Sequence, residues 1–127
     1  MPTATERPAV QPDPKKVLTK AVLRAAEKLD VKASRLAPIL GLSEPTVSRM
    51  KRGEYILEAD SKPFELAVLF VRLFRSLDAI VGGDEAVARA WLANLNLALD
   101  GRPIEKIRTV AGLTDVIAYL DARRALV

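Results

Sequence analysis

Thr46, Ser48, Arg49, Lys51 and Arg52 crowd two hydroxyls and three cations into seven residues. An arginine guanidinium can bridge the O6 and N7 acceptors of guanine, and serine or threonine hydroxyls can meet base edges as donors or acceptors. Lysine and arginine beside them suit phosphate oxygens, which position a protein on a duplex without reading its sequence. Arg35 and Ser43, just upstream, add a further cation and a further hydroxyl. The chemistry on offer is hydrogen bonding and charge neutralisation. Bond making is poorly served. The chain has no cysteine and no histidine, so it lacks the ligands of a usual zinc site and a histidine to activate a nucleophile. The adjacent carboxylates Asp84 and Glu85 stand at a helix start, where neighbours point apart and favour the dipole rather than pair as acid and base. A binding protein without metal or cofactor is expected, not an enzyme. The plain alternative for the cations is a positively charged helix end favoured by the macrodipole, and Glu44 at that helix's start opposes nearby phosphate.

Those side chains need a scaffold, and ASRLAPILGLSEPTVSRMKR, residues 33–52, supplies one. The pattern predicts a helix over residues 33–40, an interruption at Gly41 and a second helix over residues 44–52. Gly41 tolerates the positive φ that a tight turn demands. Ser43 is the N-cap of the second helix, Pro45 sits in its first turn and Gly53 lies just past its end. Ala37 is small where the helices cross, and Leu36, Leu40, Leu42, Val47 and Met50 fall at spacings that lock them together. Seven positions agreeing within 20 residues make a specific signal. The unit resembles the lambda-repressor-like, or Xre, helix-turn-helix domain. The amphipathic stretch at residues 16–29 resembles the additional helix such domains carry. The resemblance implies that the second helix enters a major groove. Thr46, Ser48 and Arg49 then read bases, and Arg35, Lys51 and Arg52 hold phosphates. Ser43 caps the helix, and its backbone neighbours also suit a phosphate.

Charge follows the same division. The chain has 127 residues with 20 basic and 16 acidic side chains. Residues 15–53 hold 10 basic and 3 acidic groups, whereas residues 63–127 hold 8 of each. The positive excess therefore belongs to the first three helices, as a polyanion-facing module requires. Residues 1–14 contain four of the eight prolines and no periodic apolar face, which reads as a disordered or extended arm. That arm has no apolar core of signal-peptide type. The longest apolar stretch, residues 64–81, carries Glu65, Arg72, Arg75 and Asp78, so no membrane span is expected. Absence of cysteine fits a reducing cytoplasm.

The second half reads as three further helices. A long one runs from near Pro63 to Gly82 and Gly83, capped by Ser61. Asp84 caps one over residues 85–95, and Thr109 caps the last, to about Arg124. A turn at Asp100–Pro103 and a short helical piece at residues 104–107 intervene. The long helix is apolar on more than one face, and Val68, Val71 and Ala79 intrude on its polar side. Either neighbouring helices cover it or part of it is a subunit interface, and self-association also suits a protein that pairs DNA half-sites. Gly112, in the first turn of the last helix, costs about 1 kcal/mol relative to alanine, so its presence marks a close approach by another backbone.

Trp91-Leu92, Asn96-Leu97, Gly101, Pro103, Thr109-x-x-Gly112 and Val116-x-x-x-Leu120 occur in an order and spacing that resemble the toxin-binding domain of the Xre/MbcA/ParS antitoxin family. Together with the helix-turn-helix, the resemblance covers about residues 15–127. It implies a RES-domain toxin, which degrades NAD, as partner. It also implies that the last helix and tail cover the toxin's active-site entrance through Arg123, Arg124, Leu126 and Val127. A frayed, solvated end is the plain alternative for that tail.

The fold expected is all-α. A Pro-rich arm occupies residues 1–14, a lambda-repressor-like helix-turn-helix DNA-binding domain residues 15–60, and a small helical dimerisation and toxin-binding domain residues 61–127. The function expected is that of a cytoplasmic type II antitoxin, a homodimer or higher oligomer, that binds its toxin and represses its own operon by binding operator DNA. The competing expectation is a stand-alone dimeric transcriptional regulator with no toxin partner.

Overall fold

The computed structural model describes residues 11–126, and local signals set most of its helix starts. Asp13 accepts from the backbone of Lys15 ahead of α1 (Pro14–Lys28). Ser43 does the same for Thr46 at α3 (Glu44–Lys51), and Ser61 for Phe64 at α4 (Lys62–Ile80). Asp84 accepts from Val87 at α5 (Glu85–Ala93), and Thr109 from Gly112 at α7 (Val110–Arg124). Each side chain satisfies a donor that the first helical turn leaves without an intrahelical partner. α2 (Ala33–Leu40) ends at Gly41, whose φ of 68° is the left-handed value expected from the sequence. A 3₁₀ turn at Leu97–Leu99 and the four-residue α6 (Pro103–Lys106) complete the order. Among the described residues, the β pairing is an isolated bridge between Asn96 and Gly101.

The observed ends differ in detail from those the sequence predicts. α1 already includes Pro14, and most of the expected arm, residues 1–10, lies outside the described residues. α3 stops at Lys51, with Arg52 as its cap. α5 stops at Ala93, because Asn94 turns to extended backbone and the Arg102 guanidinium donates to the Ala93 carbonyl at 3.2 Å. Leu95 is thereby left outside the helix and exposed.

α4 is the spine of the molecule. Ala67, Phe70, Leu73 and Leu77 are fully buried or nearly so, between α1 and α2 on one side and α7 on the other. Burying a side chain the size of phenylalanine or leucine contributes roughly 1.5–3 kcal/mol. The apolar surplus that raised the possibility of a subunit interface on this helix is thus largely covered within the chain. Val68 remains 46% exposed.

A buried hydroxyl ties the segment after α3 to α1. Thr19, 5% exposed, donates to the Lys15 carbonyl at 2.7 Å and accepts from the Leu57 backbone N–H at 3.1 Å. Thr19→Val keeps the shape but strands the Leu57 donor, so it costs about 1–3 kcal/mol in urea unfolding, and Thr19→Ser recovers most of it. A valine variant as stable as the parent removes this tie from the account.

Candidate functional site

The exposed surface of α3 is built around one short hydrogen-bond chain. Ser43 Oγ lies 2.8 Å from Thr46 Oγ1 and also accepts from the Thr46 backbone at 3.2 Å. Arg49 Nη2 then donates to Thr46 Oγ1 at 3.0 Å, one helical turn on. The Arg49 guanidinium also stands 6.0 Å from the centroid of the Tyr55 ring. Val47 and Met50 are buried against the core, as the spacing requires, so Arg49 is held at the surface with its flat face supported. Three of the sequence-predicted residues, Ser43, Thr46 and Arg49, are therefore one physical unit. Ser48 is half-buried beside them. Lys51 is exposed at the helix end. Arg52 forms a two-pronged pair with Glu54, at 3.2 and 3.1 Å, so a phosphate would compete with that carboxylate.

Arg35 stands apart from this unit. It leaves α2 toward α6 and pairs with Glu105 at 2.9 Å, joining the helix-turn-helix to the second half of the chain. Its guanidinium, reinforced by Arg108, holds the Glu105 carboxyl below its ordinary value. A second tie lies nearby. Arg89 of α5 donates to the Lys28 carbonyl at 2.9 Å and the Glu27 carbonyl at 3.4 Å, placing a cation on the C-terminal end of α1.

The end of α7 divides its charged residues between two faces. Asp121 accepts from Ser76 at 2.8 Å and pairs with Arg72, locking α7 to α4. The Ser76 hydroxyl first, and then Arg72, hold the Asp121 carboxyl below its ordinary value. Because folding favours the ionised form, this interaction stabilises at neutral pH. It is lost as pH falls through the carboxylate range and below it. Thermal unfolding of Asp121→Asn is therefore less acid-sensitive than that of the parent, and an unaltered acid profile would sever the link. On the neighbouring face, Arg123 lies 4.9 Å from the Tyr119 ring centroid, and Tyr119 stacks on Trp91 at 6.2 Å. Arg124 points the other way and reaches Ser76 at 3.5 Å. Leu126 is 87% exposed. Val127 lies outside the described residues.

Sequence reasoning missed Asp121, Ser76, Arg72, Arg89, Glu105 and Tyr55 as parts of these surfaces. Each acts through a partner distant in sequence or on a loop, and no local pattern marks such a pairing. Among the described residues there is no group of acidic side chains fit to hold a metal ion, and no helix is long and apolar enough to cross a membrane.

Residues 8–72, just over half of the chain, match the family described as antitoxin Xre-like helix-turn-helix domain. Residues 76–125 match the antitoxin Xre/MbcA/ParS C-terminal toxin-binding domain. No curated protein matches the chain. The two matched segments meet inside α4, the helix against which both halves pack. The helix-turn-helix formed by α2 and α3, the all-helical order of elements and the two matches in sequence agree, and the chain belongs to the Xre/MbcA/ParS antitoxin family, with a helix-turn-helix followed by a C-terminal toxin-binding domain.

Proposed function

We propose that the protein is the antitoxin of a type II toxin–antitoxin pair, acting in the cytoplasm, that neutralises a RES-type, NAD-degrading toxin and represses its own operon. The observation that carries this reading is the union, in one chain, of an exposed Ser43–Thr46–Arg49 surface on α3 with a matched toxin-binding domain. Residues 15–60 act as the DNA-reading unit and residues 61–127 as the toxin-binding and dimerisation unit. Thr46, Ser48 and Arg49 meet base edges, while Ser43, Lys51 and Arg52 face phosphate. Arg35 joins them only when phosphate outcompetes Glu105. At the other end, Arg123, Arg124, Leu126 and Val127 occupy the toxin's active-site entrance. Occlusion needs no chemistry from the antitoxin, in keeping with families that act by binding. Pairing of two copies places two recognition helices on successive half-sites.

Two experiments test this reading. Co-expression with the protein encoded beside it rescues growth and yields a complex; failure of both leaves the stand-alone regulator. Arg49→Ala weakens binding to the chain's own promoter by about 1–3 kcal/mol, with little change on unrelated DNA, measured by fluorescence anisotropy. Equal loss on both DNAs would make Arg49 a phosphate contact, and no loss would remove α3 as the reading helix.

A further inference from the structure

α1 and α4 leave a groove between them. Val17, 52% exposed, and Val68, 46% exposed, stand on its two sides, and Leu18, Ala21 and Val71 line its floor. Its rim is cationic, with Arg72 and Arg75 from α4 and Arg124 from the end of α7. Among the described residues, no carboxylate lines it. Asp121 fixes Arg72, and Ser76 receives Arg124, so two of the three guanidiniums are already positioned. The opposite flank of α1, at Leu23 and Glu27, faces Lys51 of α3, so the groove looks away from the recognition helix.

The chemistry selects among occupants. An apolar floor offers nothing to a phosphate backbone. A second copy of the same patch would bring Arg75 and Arg124 against their counterparts, at a repulsive cost, Arg72 being already paired with Asp121. A protein segment that inserts apolar side chains and flanks them with Asp or Glu satisfies both floor and rim. Arg124 belongs to the matched toxin-binding segment, so the groove is continuous with it. We propose that the groove between α1 and α4 is a second docking site for the toxin, taking an acidic, apolar-tipped segment of its surface and adjoining the tail site at Arg124. This rests on the antitoxin reading. Because the groove faces away from α3, toxin and DNA can be held at once.

The test uses this chain and a RES-domain protein that it binds, sought first in the adjacent reading frame, with affinity measured by calorimetry. Val68→Glu and Arg75→Glu each raise the Kd about tenfold or more, and Arg75→Ala, a truncation of an exposed side chain, raises it less. Melting temperature and promoter binding stay as in the parent. Undiminished toxin affinity in folded variants overturns the proposal. So does conversion of Val68→Glu from dimer to monomer in light scattering, which would assign the groove to a second copy. If the unaltered chain binds no such protein, the antitoxin reading itself fails and the groove proposal goes with it.

Discussion

Gly112→Ala destabilises the protein by about 3 kcal/mol, the upper part of the range for forcing extra volume into a packed site. For a chain of this size that lowers the melting temperature by roughly 10 °C. Helix propensity alone predicts the opposite sign, since alanine improves on glycine by about 1 kcal/mol inside a helix. The geometry decides. A Cβ on Gly112 would fall within the van der Waals surface of the Lys106 carbonyl oxygen and close to its carbon. Those atoms are backbone at the end of α6, fixed by the Thr109 N–H and hydroxyl that both reach the same carbonyl. A flexible side chain could swing aside; this peptide cannot without unseating the Thr109 cap, which itself accepts from Gly112 at 3.0 Å. A stabilised alanine variant would show that the junction between α6 and α7 yields freely, and would remove the tight turn from the toxin-binding half.

Ending the chain after Ala122 weakens toxin neutralisation by roughly thirtyfold or more, the effect of losing a central contact, while promoter binding is unchanged. The place of the cut matters. A cut after Leu120 would also remove Asp121, and with it the hydrogen bond to Ser76 and the pair with Arg72 that fasten α7 to α4. Loss of function would then report a loosened fold. Keeping Asp121 and Ala122 removes residues 123–127, and with them the long 3.5 Å contact of Arg124 with Ser76. Arg123 contributes a surface contact with Tyr119, and Leu126 is almost wholly exposed, so the fold loses little. Full neutralisation by the shortened chain would refute occlusion by the tail. Because the cut also takes Arg124 from the groove rim, Arg75→Glu in the uncut chain separates the two sites.

What could be read from the sequence was what is decided locally. Ser43, Ser61, Asp84 and Thr109 were legible as caps because a cap needs only the next three residues. Gly41 was legible as a left-handed turn, and Gly112 as a close approach, because each is a poor choice otherwise. The grouping of Ser43, Thr46 and Arg49 was legible for the same reason: the cap and one helix set their spacing. What covers α4 was not legible. Its excess of apolar residues is equally compatible with a partner subunit and with α1, α2 and α7, and only the tertiary packing distinguishes them. The pairing of Arg35 with Glu105, 70 residues apart, was hidden for the same reason, and it draws a residue expected at phosphate toward the other half of the molecule. Asp121 meets Ser76 45 residues back and Arg72 49 back, separations that no local pattern spans.

NAD consumption by a purified RES-domain protein, followed while this chain is titrated in, tests whether the chain silences an enzyme by covering it. Turnover falls to background at a fixed molar ratio of the two proteins, and the chain alone consumes no NAD. NAD turnover that continues undiminished in saturating antitoxin would contradict silencing by occlusion.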